Sequence, residues 1–443
     1  MGRAVFETLS NAIAAIPAVR AAGRVAQVAA GTLVVEGLSG RAALGDRVDL
    51  PARAGVAGPA GGEVIGIGRD SVVILPDQGT EGAAIGDLAI HAGPTTLAPD
   101  DGWIGRIVDP LGRPLDGRPL LPGPVARPLR AAPPPAAARR ALGARLDTGL
   151  CAFDTLLPLV RGQRIGLFAG SGVGKSSLLG TLARGVAADV VVLALIGERG
   201  REVRHFVDAV LGPAGMARSV VVSATADESP LSRRRAALAA MTVAEHFRDA
   251  GAHVLFLADS VTRFAEAHRE VALASGEAGT MRGFPPSIVQ AIGALAERAG
   301  PGAGAQGDIT AVFSVLVAGS DMDEPVADIV RGILDGHVVL DRRIAERGRF
   351  PAVDLLRSVS RSLPGAASAD ENRLIAEARR LAGAWDRAEA MIQAGLYAAG
   401  SDPATDAAIR CRDALEAFLA GVEPGGADAS FARLAAALTA SGG

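Results

Sequence analysis

The 443-residue chain is predicted to be an α/β protein, with a parallel-sheet core, a small β-barrel before it and a helical domain after it. Three patterns predict this. Between residues 145 and 364, continuous apolar runs alternate with helical stretches, as in strands covered on both faces. Between Arg24 and Ile90, short β-rich runs are broken by glycine, as in a small barrel or sandwich. After Pro364, apolar residues recur every three or four positions to the end.

Taken in order, residues 1–20 place Val5, Leu9, Ile13 and Ile16 on one helical face before Pro17 ends the pattern. This amphipathic helix packs on its own domain or docks a partner. The barrel is expected over 21–95. Its runs include "RVAQVAAGTLVVEGL" and "GGEVIGIGRDSVVILP". Residues 1–100 carry seven arginines against ten acids, and no Phe, Tyr or Trp stands between Phe6 and Trp103. A groove that stacks bases needs aromatic rings and positive charge, so a structural or subunit-joining barrel is expected, without nucleic acid. Residues 96–144 are rich in proline and glycine and read as a connecting segment. In 145–364 the runs "RIGLFAG", "DVVVLALIG", "SVVVSAT", "HVLFLAD" and "ITAVFSVLVAG" read as core strands. Residues 365–443 form the helical domain, with Leu374, Ala378, Leu381, Trp385, Ala388, Met391 and Ile392 as its periodic stripe.

Bulk composition narrows the class. Net charge is −3, so no global field draws nucleic acid or an acidic membrane. Cys151 and Cys411 lie 260 positions apart, which suits a reducing compartment and no disulfide framework. The first residues include Glu7 and lack the apolar centre of a signal peptide. No uncharged apolar run reaches the ~18 residues of a membrane span. A cytoplasmic protein is expected.

Of 45 basic residues, only Lys175 is lysine. It sits in "AGSGVGKSS", after a strand run and before a helical start, the context of a phosphate-binding loop. Gly170, Gly172 and Gly174, with Ser171 and Val173 between them, let backbone N–H groups turn toward phosphate oxygens, and the helix N-terminus adds its positive end. Ser176 offers a hydroxyl to Mg²⁺, and Ser177 follows in the first turn. A compact ammonium on a thin stem suits the slot between glycines, and a planar guanidinium does not. Two strand runs end on acids: Glu198, suited to a general base or to orienting water, and Asp259, suited to Mg²⁺ through water.

Together with "IGERGREV", "LADSVTRFAEAHRE", "DMDEPVADIVRGILDGHVVLDRRIAERGRFPAVDLLRSVSR" and "GLYAAGSDPATDAAI", this loop resembles the rotary-ATPase-related hexameric ATPases, above all the flagellar type III protein-export branch. The resemblance covers nearly the whole chain. It implies a RecA-like P-loop ATPase core, ATP and Mg²⁺ as ligands, and a homohexamer energising flagellar protein export. It also implies that Lys175 and Ser176 bind phosphates and Mg²⁺, that Glu198 polarises the attacking water and that Asp259 is the Walker B aspartate. Arg361, in "SVSR", matches an arginine that enters a neighbouring subunit's site. Phe350 stands where tyrosine usually stacks on adenine, and a phenyl ring keeps that face. Ala169 replaces the first loop glycine, as is usual in the export branch. Asp341 stands where serine is more usual. The implied partners are a stator-like regulator on the N-terminal helix, a central stalk protein, export chaperones and substrates, and an export gate at the inner membrane.

Other readings are weighed on the same residues. An injectisome ATPase differs only in overall look. A rotary synthase catalytic subunit would carry a run of clustered acids in its C-terminal domain, and none is present. A non-hydrolysing subunit would have glutamine at 198. An RNA-driven hexameric motor is disfavoured by the acidic barrel without base-stacking aromatics.

Overall fold

The computed structural model describes residues 19–51, 58–280, 282–317, 322 and 324–439. The amphipathic stretch from Val5 to Pro17 lies outside them.

Six short strands close a barrel: β1 (Ala22–Val28), β2 (Leu33–Glu36), β3 (Asp46–Asp49), β4 (Gly61–Ile67), β5 (Ser71–Pro76) and β6 (Leu88–Pro94), joined in the order β1-β2-β5-β4-β3-β6. Each strand sends alternate residues inward, which follows from its two-residue period. Val25, Leu33, Val35, Val48, Val64, Val72 and Ile74 thereby fill the interior. Closure leaves no unpaired sheet edge.

The stretch read as a connector holds three more strands: β7 (Thr96–Leu97), β8 (Arg106–Val108) and β9 (Arg127–Pro128). β7 and β9 pair with each other, while β8 joins the edge of the core sheet beside the strand Ser219–Thr225. Three residues among prolines and glycines carry too short a pattern to announce a strand. Hydrogen bonds anchor it: Arg106 donates to Asp116 at 2.7 and 2.8 Å.

The core sheet contains β10 (Arg164–Ala169), β11 (Val190–Glu198), β12 (Ser219–Thr225), β13 (His253–Asp259), β14 (Gly300–Pro301), β15 (Asp308–Leu316), β16 (Gly336–Leu340) and β17 (Val353–Ser360). Its order is β17-β16-β10-β15-β13-β11-β12-β8, with β14 paired to β15 outside this path. Neighbours along the path are parallel except β16 and β17. Both faces of β11 are buried: Val190, Val192, Ala194 and Ile196 enter one core, and Val191, Leu193 and Leu195 the other. That two-sided burial explains the unbroken apolar run in the sequence.

Helices α1 (Lys175–Gly185), α2 (Gly200–His205), α3 (Pro230–Asp249), α4 (Val261–Ala274), α5 (Ser287–Glu297) and α6 (Pro325–Ile333) connect the strands. The C-terminal region comprises α7 (Ala369–Gln393), α8 (Pro403–Leu419) and α9 (Gly426–Thr439). Ser368 and Glu371 form a capping box on α7, and Asp402 caps α8. The buried stripe of α7 is Ile375, Ala378, Leu381, Ala384 and Ala388, whereas Met391 is exposed. The stripe thus starts one residue after Leu374 and ends before the helix does.

Barrel and core meet at a buried cluster of charges. Glu63 of β4 accepts from Arg234 at 2.5 Å and Arg235 at 3.2 Å, both on α3, and from Arg130 at 2.9 Å. Arg235 also pairs with Asp77, which Arg47 meets at 2.7 Å.

Candidate active site

Parallel sheets gather functional groups at the carboxyl ends of their strands, and β10, β11 and β13 end together here. After β10 the chain turns through Gly170–Gly174 and enters α1 at Lys175. Gly172 and Gly174 hold φ of 78° and 86°, left-handed values that an L side chain resists. Val173 is buried, so the loop presents backbone and not that side chain. Ser171, Ser176 and Ser177 are exposed around the first turn of α1.

Lys175 reaches across β15 to the end of β13. Its Nζ makes a short ion pair with Asp259 and lies 3.9 Å from Glu198 Oε1. In β15, between these strands, Ser314 donates to Asp259 Oδ1 at 2.8 Å. β11 lies beside β13, with Leu195 level with Asp259, so Glu198 stands just beyond the aspartate. Burial pushes the Glu198 carboxyl up to about 7, the Asp259 charge pushes the same way, and Lys175 opposes both. Glu202, in the first turn of α2, shares a side-chain hydrogen bond with Glu198 and is itself held below the ordinary carboxylate range by that bond.

Phe350 is half exposed and faces the loop. A Cβ added to Gly174 would lie 3.1 Å from its ring, so the glycine's bare Cα is what admits the phenyl group. Lys175, Glu198, Asp259 and Phe350 are therefore brought together around loop 170–177.

Arg361 is not among them. β17 runs antiparallel to β16, so Ser360 pairs with Gly336 at the start of β16, far from that strand's end at Leu340. Arg361 N donates to Asp335 O, and Asp335 N to Arg164 O at the opposite end of β10. The five steps from Arg164 to Ala169 span about 17 Å at roughly 3.3 Å each. The guanidinium is exposed and donates to Leu334 O at 3.0 Å and Arg331 O at 3.4 Å, at the end of α6.

Two contributors escaped sequence reasoning. Glu202 lies four residues after Glu198, across the turn from β11 into α2. Ser314 is a lone hydroxyl inside an apolar run, and buried hydroxyls need partners. Both were visible as oddities, but only the fold supplies their partners.

The donor set suits a nucleotide with a divalent cation. Ser176 offers an exposed hydroxyl at a helix start, Asp259 a carboxylate fixed by Ser314, and hard oxygen donors of this kind suit Mg²⁺.

Comparison with known proteins agrees with this geometry. Residues 149–360 match the ATP synthase alpha/beta family, nucleotide-binding domain, and residues 367–436 match the T3SS EscN ATPase C-terminal domain. The flagellum-specific ATP synthase of Caulobacter vibrioides is 46% identical over 404 residues, covering 90% of either chain. The type 3 secretion system ATPase of Xanthomonas euvesicatoria is 41% identical over 93% of this chain and 92% of its own. The assembled ATPase EscN of enteropathogenic E. coli superposes with a TM-score of 0.86 at 37% identity, covering 94% of this chain and all of that one. EscN in complex with its central stalk EscO matches with a TM-score of 0.84. The chain belongs to the flagellum-specific ATP synthases, ATPases built on the nucleotide-binding domain of the ATP synthase alpha/beta family.

Proposed function

We propose that this chain hydrolyses ATP as a homohexamer in the cytoplasm, at the inner-membrane export apparatus, and so energises type III export of flagellar proteins. One observation carries the reading of the site: Lys175, Glu198, Asp259 and Phe350 converge on loop 170–177, while Arg361 stands at the opposite end of the sheet. The first four groups serve the chain's own nucleotide. The arginine serves a neighbouring copy's.

Backbone N–H groups of Gly170, Ser171, Gly172, Val173 and Gly174 and the start of α1 bind the phosphates. Lys175 exchanges Asp259 for phosphate oxygens. Ser176 directly, and Asp259 through water, would hold Mg²⁺, which offsets phosphate charge. Phe350 stacks on the adenine, and Ser177 borders the phosphates. Glu198 takes the proton of the attacking water as its oxygen bonds to the γ-phosphorus and the bond to ADP breaks. A carboxyl tuned to about 7 can accept that proton and release it near neutrality. Arg361 of the adjoining copy neutralises charge on the transferring group.

Relatives favour the flagellar system: many of the similar curated chains bear that name, at 40–46% identity. The EscN–EscO complex supports a central stalk partner here too. A stator-like regulator on the N-terminal helix, export chaperones with their substrates and an export gate complete the proposed set.

Subunit mixing tests the shared site. Lys175→Ala and Arg361→Ala should each be inactive alone. Mixed, they should regain activity, because some interfaces then pair an intact loop with an intact arginine. No recovery, in mixtures shown to co-assemble, would overturn the shared site.

A further inference from the structure

Phe350 follows a residue that reaches into the C-terminal helices. Arg349 is largely buried: its Nε stands 2.7 Å from Glu416 of α8, and its Nη2 donates to Val353 O at 2.9 Å. Glu416 is shared, because Arg412, one turn earlier on α8, pairs with it as well. Arg412 in turn lies over the Trp385 ring of α7, 4.8 Å from its centroid. A continuous chain of contacts therefore runs from the segment carrying the phenyl ring to both long helices of the C-terminal hairpin.

The surroundings set this pair apart from the ion pair beside it. Arg347 meets Glu389 at 2.9 Å, but the arginine is more than half exposed, and such surface pairs add little. Arg349 is different: its side chain is 9% exposed, and neither its Nε nor its Nη1 makes a hydrogen bond, so the Glu416 charge is what balances the guanidinium there. Losing Glu416 would leave a buried cation unpaired, which forces the segment to move. Room for movement exists. A cavity of about 140 Å³ between α7, α8 and the ends of β16 and β17 is lined by Arg349, Leu355, Trp385, Arg412 and Glu416.

We propose that the Arg349–Glu416 pair is a positioning device for nucleotide binding, tying the Phe350 segment to α8 so that the ring stays on the phosphate loop where a base must stack. The inference rests on the reading that Phe350 stacks on the base. Arg349 makes its contacts with Glu416 and Val353 O, away from loop 170–177. It acts through its neighbour, so it governs affinity for the base and leaves the chemical step alone.

The test compares ATP with inorganic tripolyphosphate, which offers phosphates and no base. Glu416→Gln and Arg349→Leu should each raise KM for ATP about three- to tenfold, the range of a coupled pair. Their kcat should stay within about twofold, and inhibition by tripolyphosphate should be unchanged. Arg347→Ala should alter none of these. Unchanged KM in both variants overturns the proposal. So does an equal loss for ATP and tripolyphosphate, the mark of general loosening, or an equal effect of Arg347→Ala. Glu416 is part-exposed on a helix, so its variant should fold even if the arginine variant does not. Phe350→Ala separates the two levels: if it leaves ATP affinity intact, the stacking reading fails. If it weakens ATP alone while Glu416→Gln does nothing, only the positioning role fails.

Discussion

Lys175 spans one strand to pair with Asp259, crossing β15 where Ser314 holds the same carboxylate oxygen. The proposed phosphate ligand and the proposed metal-water ligand thus neutralise each other. An incoming nucleotide must exchange that pair for phosphate oxygens on the lysine and a cation on the aspartate.

Lys175→Arg is the most telling substitution, because this chain uses arginine for each of its other 44 basic positions. A broad guanidinium should pair with Asp259 yet fail to enter the loop between Gly172 and Gly174. Steady-state hydrolysis should fall at least about 100-fold, the scale of losing one donor to a transition-state charge. Near-normal turnover would show that charge alone suffices.

Glu198 ties activity and stability to pH in opposite senses. Its folded pKa, about 7, lies above the ordinary 4.5, so the folded chain keeps a proton that the unfolded chain releases. Between roughly pH 4.5 and 7 its contribution to stability therefore falls as pH rises. Glu198→Gln should melt at a higher temperature than the parent at about pH 8 and at the same temperature near pH 4.5. The parent's kcat/KM should climb through a midpoint near 7, and Glu198→Gln should lose about 100-fold or more without that limb.

Phe350→Tyr should hydrolyse ATP at the parental rate, since the stacking face is retained. Phe350→Ala should raise KM by roughly two- to tenfold, matching about 0.5–1.5 kcal/mol for an aromatic pair. Titration with a fluorescent ATP analogue checks both.

Glu63→Ala should cost about 3–5 kcal/mol in denaturant unfolding, because it leaves buried Arg234 without its carboxylate and Arg235 with Asp77 alone. An exposed pair such as Arg204–Asp208 gives the contrast: removing it should change stability by less than about 1 kcal/mol.

The strands most legible in the sequence are those buried on both faces. "SVVVSAT" and "HVLFLAD" coincide with β12 and β13 residue for residue. β17 carries no such run, because at the sheet edge it alternates buried and exposed positions, with Leu356 and Val359 facing outward. The same rule governs the site. Lys175, Glu198 and Asp259 are legible because a glycine loop and two strand ends have local signatures. The Glu198–Glu202 bond, the Ser314 contact and the Arg349–Glu416 pair join residues whose meeting depends on how elements pack, so no local pattern announces them.

The ion cluster beneath the barrel has a mechanical consequence. Arg234 and Arg235 sit in the second turn of α3, and that helix lies along β11, the strand that ends at Glu198. Buried pairs are screened far less by salt than surface pairs, so ionic strength that dissolves exterior contacts leaves this joint stiff. One helix thus fastens the barrel to the strand bearing Glu198 through contacts that salt weakens little.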